Sequence, residues 1–221
     1  MKSIAIGMAE MLQSQKADYI CLEFDKFVKD RTLQLCIDGA FRKAKATGGL
    51  LEKCQEIVGF LKSCGAAKKP LDAERKRLNK KIYKFVAAAE TRWNSSLTLM
   101  RGVCDLAGEM AVALEVLIAS SVQSEVDRAK RMKPGLLSEQ ERGEVNGLCK
   151  LLTPAAKLTN EVGSSKYPII SSAYPKISGL LPALTTFVTG PAKEMSDALI
   201  QEIEQRFTVH QMPDVTLVAM F

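Results

Sequence analysis

Glu90-Thr91-Arg92-Trp93-Asn94-Ser95-Ser96-Leu97-Thr98-Leu99-Met100 is the stretch from which the fold is read. It holds the only tryptophan of the 221 residues, with an arginine before it and a helix start after it. Asn94, Ser95 and Ser96 have side chains that cap helices by accepting a bond from an orphan N–H. Leu97, Leu99, Met100, Val103, Leu106 and Ala107 then begin an apolar series at helical spacing. Trp93 itself has two readings that do not exclude each other: a core anchor with its N–H satisfied, and a residue close to a ligand.

Downstream the chain reads as helix after helix. Asn94–Leu106 and Glu109–Gln123 are two segments with Gly108 as the break, and Arg128–Gly135 is a basic turn ending in Pro-Gly. Ser138 with Glu141 three residues on forms a capping box, ahead of Val145, Leu148, Cys149, Leu151 and Leu152 on one face. Pro154 marks a break or a new first turn. Lys166–Phe187 carries the longest apolar stripe, divided by Pro175 and Pro182, and Ala192–Phe207 is a final helix with Met195, Leu199, Ile203 and Phe207 inward. Val215–Phe221 begins one more element.

Upstream, Lys2–Gln15 is a short amphipathic helix and Tyr19–Phe24 a short strand. A helix opens at Thr32 and ends at Thr47-Gly48-Gly49; Leu50–Ser63 follows as another. Ala66–Lys81 is the most basic run, with Lys68, Lys69, Arg75, Arg77, Lys80 and Lys81 against Asp72 and Glu74, and Pro70 stands at a helix entrance. Such a run is either a solvated helix face or a ridge for phosphates and nuclear import. Tyr83–Ala88 is β-prone.

Composition narrows the class. Apolar residues are 47%, charged 25% and aromatic only 6%, which favours helices filled with Leu, Ala, Val and Met over a sandwich or barrel. A net charge of +6 permits contact with nucleic acid without demanding it. Cys21, Cys36, Cys54, Cys64, Cys104 and Cys149 form no Cys-x-x-Cys pair, and His210 is remote from them, so neither a zinc site nor a disulfide framework is expected. No run is long enough to span a membrane, and the opening lacks a secretory leader. Reduced thiols in a cytosolic or nuclear protein follow.

Thr91-Arg92-Trp93-Asn94-Ser95 followed by a helix resembles the signature of hAT-superfamily transposases and their domesticated BED-zinc-finger relatives. The likeness extends over about Thr32–Phe221, through TLQLCIDGAF, LLEKCQEIVGFLKSC and the segment from Ser138 to Leu181, and LVAMF is similar to the approach to a Leu-Asp-Pro-Arg motif. The resemblance implies a mainly α chain: a partial ribonuclease-H-like α/β remnant over residues 1–90, then an all-helical insertion over 91–221. It implies a nuclear protein that meets DNA through Arg92 and Trp93, and the basic run adds Lys68, Lys69, Arg75, Arg77 and Lys80 as the expected phosphate ridge. Protein partners, a second copy among them, would use helix faces; no membrane and no small-molecule substrate enter.

Catalysis in that family uses three carboxylates that hold two divalent cations. On this resemblance the first core strands are expected upstream of Met1 and the last glutamate beyond Phe221. Asp18, Asp25 and Asp30 do not fit the motif, and Val28 and Arg31 stand where the family carries a Cys-x-x-His pair. No other nucleophile or phosphate-loop pattern is present. The expectation is a protein without catalysis, metal or cofactor that binds DNA. A helical interaction scaffold is the alternative, and convergence of Lys68–Lys81, Arg92 and Arg128–Lys133 on one face decides between them.

Overall fold

A computed structural model describes residues 32–81, 93–164 and 177–206. Among these the chain is helical, with no strand. The expected α/β remnant is therefore not seen in them. The segments read as Lys2–Gln15, Tyr19–Phe24, Tyr83–Ala88 and Val215–Phe221 lie outside the described residues, as do Arg92, Pro175, Phe207 and His210.

Three helices follow one another almost without loops: α1 (Thr32–Lys43), α2 (Lys45–Ser63) and α3 (Gly65–Arg77). Single residues make the corners. Ala44 has ψ 84° and Cys64 has ψ 85°, far from the helical value near −42°. Both are buried, which is possible because backbone bonds continue across each corner. Ala44 N–H donates to Ala40 O at 2.9 Å and Gly48 N–H to Ala44 O at 3.1 Å; Cys64 N–H donates to Phe60 O at 2.8 Å. The turn expected at Gly48-Gly49 thus lies at Ala44, and both glycines sit inside the start of α2. Their propensity cost of roughly 1 kcal/mol each is outweighed by the buried stripe Leu50, Cys54, Ile57, Val58 and Leu61. Pro70 likewise lies within α3, not at its entrance.

The long helix α4 (Trp93–Ile118) is the axis of the fold. At 26 residues it is about 39 Å long. Trp93, Leu97, Met100, Val103, Leu106, Met110, Ala113, Leu114 and Leu117 are buried along it, so the stripe crosses Gly108 unbroken. Gly108 was the expected break, but it faces open space and the packed turns on either side hold the helix through it. Trp93 is already helical, so Asn94–Ser96 stand inside the first turns.

Next come α5 (Gln123–Met132), a 3-10 turn at Lys133–Gly135 and α6 (Glu139–Ser164). The basic segment from Arg128 is thus helix up to Met132. The capping box at the head of α6 is present: Glu141 N–H donates to Ser138 Oγ at 3.2 Å and Ser138 N–H to Glu141 Oε2 at 2.8 Å. Glu141 also takes Lys53 Nζ of α2 at 2.8 Å. Pro154 does not end α6. Leu151, Leu152, Ala155 and Leu158 are buried around it, and that burial offsets the lost backbone bond.

The last pair is α7 (Leu180–Leu184), which contains Pro182 and ends two residues after it, and α8 (Gly190–Arg206). Met195, Leu199 and Ile203 of α8 are inward, as their spacing predicts. α8 packs most extensively on α1. It also ties the α1–α2 corner: Lys45 N–H donates to Glu194 Oε1 at 2.9 Å and Thr47 Oγ1 to Pro191 O at 3.2 Å. Glu202 is buried against α1, held by Lys43 Nζ at 2.9 Å and Arg206 Nε at 3.0 Å. Among the described residues one continuous apolar core takes side chains from α1 to α8.

Two expectations follow. Gly108→Ala should raise stability by roughly 0.5–1 kcal/mol, since a methyl there meets nothing and helix propensity improves. Gly39→Ala, with the same propensity gain, should be destabilising, because its methyl would lie 2.6 Å from the pinned Glu202 carboxylate. Urea midpoints of the two variants check both signs.

Acid sensitivity comes from Glu141 and Glu202. The Lys53 ammonium, then the Ser138 N–H, hold the Glu141 carboxyl below its ordinary range. Lys43, then Arg206, do so for Glu202 against its desolvation. Depressed carboxylates stabilise above the unfolded value near 4.3, and the contribution disappears as pH falls through the folded value. Urea stability should therefore be level near neutrality and drop below about pH 4.3, with a smaller drop in Glu141→Gln.

Candidate nucleic-acid interface

The sequence-predicted basic residues centre on α3, whose last turn has a specific geometry. Asn79 has φ 53°, in the left-handed region. Asn79 N–H donates to Lys76 O at 3.0 Å and Lys80 N–H to Arg75 O at 2.8 Å. This is a Schellman cap, with asparagine where glycine is commoner. It places Lys80 beside Arg75 although five residues separate them.

Both cations then meet carboxylates of α4. Arg75 Nη1 lies 3.0 Å from Asp105 Oδ2 and 3.3 Å from Glu109 Oε1, while its Nε donates to Lys81 O at 2.6 Å. Lys80 Nζ lies 2.9 Å from Glu109 Oε1 and 3.9 Å from Asp105 Oδ1. Arg75 is 5% exposed and Glu109 2%. Glu109 occupies a core register of α4 between Leu106 and Met110, so its charge needs a partner in the interior. Arg75 is the partner that α3 brings.

The seven residues assigned to DNA therefore separate. Arg75 is buried in the ion-pair cluster, and Lys80 is held at its edge. Arg77 is exposed but paired with Glu74 through Nε at 2.8 Å and Nη2 at 2.6 Å. Lys68 and Lys69 are exposed, with no ion pair among the described residues. Trp93 is 4% exposed, its ring packed in the core. Arg92 lies outside the described residues.

A further basic segment joins this region. Arg128 of α5 donates from Nη2 to Ser63 Oγ at 2.8 Å, with its guanidinium 6.0 Å from the Phe60 ring centroid. Ser63 ends α2, with Cys64 alone between it and the helix bearing Lys68 and Lys69. Arg128 thus reaches the end of α2, where Lys62 is exposed, and the exposed Lys68 and Lys69 lie in the first turns of the helix that follows; Lys130 and Arg131 come next on α5. Lys133 is taken by Glu115 of α4 at 2.5 Å.

Sequence reasoning passed over Asp105 and Glu109, the acids that occupy the basic cluster. A glutamate in register with Leu106, Met110 and Ala113 was the available signal. It also passed over Lys62 and Lys76, both exposed.

The thiols behave as small apolar residues. Cys36, Cys54, Cys64, Cys104 and Cys149 are all free, and Cys104 alone of them is half-buried. Burial pushes Cys36 and Cys54 up to about 12 and Cys149 up to about 11. Those three are held as thiols at neutral pH. Among the described residues no cluster of His, Cys, Asp or Glu could hold a metal ion, and no helix is long and apolar enough to cross a membrane.

No family model, curated protein or solved structure matches the chain.

The burial of Trp93 makes it a reporter of the fold. Its emission should be blue-shifted in the native protein, poorly quenched by iodide, and red-shifted together with the loss of helical circular dichroism in urea. Free quenching in the native state would show an exposed ring.

Proposed function

We propose that this chain is a transposase-derived helical protein of the nucleus that retains a DNA-backbone-binding surface without cleavage chemistry. In this reading residues 1–90 descend from a ribonuclease-H-like core and the helices after them from its insertion. The likeness of TRWNS and of the following helices to hAT transposases supports the origin. The observation that carries the binding is the Arg128–Ser63 bond, which brings two basic segments distant in sequence to one helix corner. Lys62, Lys68, Lys69 and Arg128 there supply point charges and one planar fork of donors suited to phosphate oxygens. Flexible lysines at a helix corner suit contacts to the sugar-phosphate backbone better than readout of base edges.

A scaffold reading has one observation of its own. Val112 and Val116, one turn apart on α4, are 42% and 52% exposed, and Val122 beyond the helix end is 47% exposed. Those apolar side chains suit a protein partner.

Duplex DNA binding measured across a salt series separates the two. The DNA reading expects log K to fall linearly with log salt, by roughly 0.9 per phosphate contact. Replacing Lys68, Lys69 and Arg128 together by Gln should then reduce the slope by about 2–3 and weaken binding to unrelated sequences alike. A folded protein that does not bind duplex DNA at low salt leaves the scaffold reading.

A further inference from the structure

The cluster around Glu109 contains more positive charge than a buried carboxylate needs. Glu109 Oε1 receives both Arg75 Nη1 at 3.3 Å and Lys80 Nζ at 2.9 Å. The two cations differ in what depends on them. Arg75 is buried and also serves Asp105 and the Lys81 carbonyl, so its removal would leave a buried carboxylate without its interior partner. The side chain of Lys80 is 41% exposed. If it leaves, Glu109 keeps Arg75 and no buried charge is orphaned. Its backbone meanwhile stays fixed by the bond from Lys80 N–H to Arg75 O at 2.8 Å. Lys80 is the member of this cluster that can move without cost to the core.

We propose that Lys80 is a carboxylate-held arm: Glu109 and Asp105 occupy its ammonium in the free protein, and a DNA phosphate takes it over on binding. This rests on the DNA-binding reading above. The exchange replaces one anionic oxygen acceptor with another, and no proton or covalent bond changes hands. Its effect is a built-in competitor for phosphate. The two α4 carboxylates lower affinity for isolated anions, which cannot offset the lost Lys80 pairs, and a duplex overcomes them through simultaneous contacts from Lys68, Lys69 and Arg128. Asp105, 48% exposed and 3.9 Å from Lys80 Nζ, adds a second carboxylate beside the ammonium on its solvent side.

The test is fluorescence anisotropy with a labelled duplex DNA across a salt series, using the full chain. Asp105→Asn/Glu109→Gln should bind roughly two- to fivefold more tightly than wild type, the value of one half-exposed ion pair. Adding Lys80→Gln should abolish that gain and reduce the salt slope by roughly 0.9. Circular dichroism checks the fold. Should the double variant fail to fold, Asp105→Asn alone, at a half-exposed position, should show a smaller gain that Lys80→Gln again removes.

A gain that survives Lys80→Gln would reflect net charge alone and overturn the arm, as would wild-type affinity in the folded carboxylate variants. In both of those outcomes salt-dependent binding by wild type leaves the DNA reading standing. Absence of binding at low salt by wild type and carboxylate variants alike overturns both.

Discussion

Burying one side of α4 along its full 26 residues is the constraint to which the other helices answer. A helix apolar over that length needs neighbours along about 39 Å, and several helices share the task. α3, α5, α6 and α2 each cover part of it. Because Glu109 lies within the covered side, one of those neighbours has to bring a cation. α3 does so with Arg75, and the left-handed Asn79 turns the chain so that Lys80 returns to the same carboxylate. The fold and the fate of the basic run are therefore one problem. Arg75 is basic for the sake of the core before it is basic for any ligand.

The corners show how tightly the remaining helices are joined. Ala44 and Cys64 are small enough to be enclosed where two helices meet, and each keeps its amide bonded to the preceding helix. A larger residue would push the helices apart, and a polar one would be buried without solvent. Side chains of α8 complete the first corner through Glu194 and through Glu202 over Gly39. A residue late in the chain thus finishes a turn near its beginning, which no local window of sequence can reveal.

That distinction separates what was legible from what was not. Periodic stripes were read correctly where they set a buried face, as with Leu50–Leu61, Met195–Ile203 and the series from Leu97. The Ser138–Glu141 box was legible because its partners are three residues apart and its geometry is local. Gly48-Gly49, Gly108 and Pro154 were misread as breaks because propensity was weighed alone. Each weakens a helix by a few kcal/mol at most, and burial of leucine and methionine side chains at about 1.5–3 kcal/mol apiece exceeds that. Ala44, which does break the helix, carries no turn signal; its corner is imposed by packing.

The basic surface was legible as charge and illegible as availability. Of Lys68, Lys69, Arg75, Arg77 and Lys80, the last three are matched to Asp105, Glu109 and Glu74. Lys68 and Lys69 keep their charge open, and Arg128, some 60 residues further along, bonds Ser63 at the end of the helix before theirs. A run of like charges in sequence counts formal charge, whereas attraction of a polyanion depends on the charge left after internal pairing. On that measure the positive surface lies at the α2–α3 corner and not along the α3 run as a whole. The carboxylates of α4 decide where it ends.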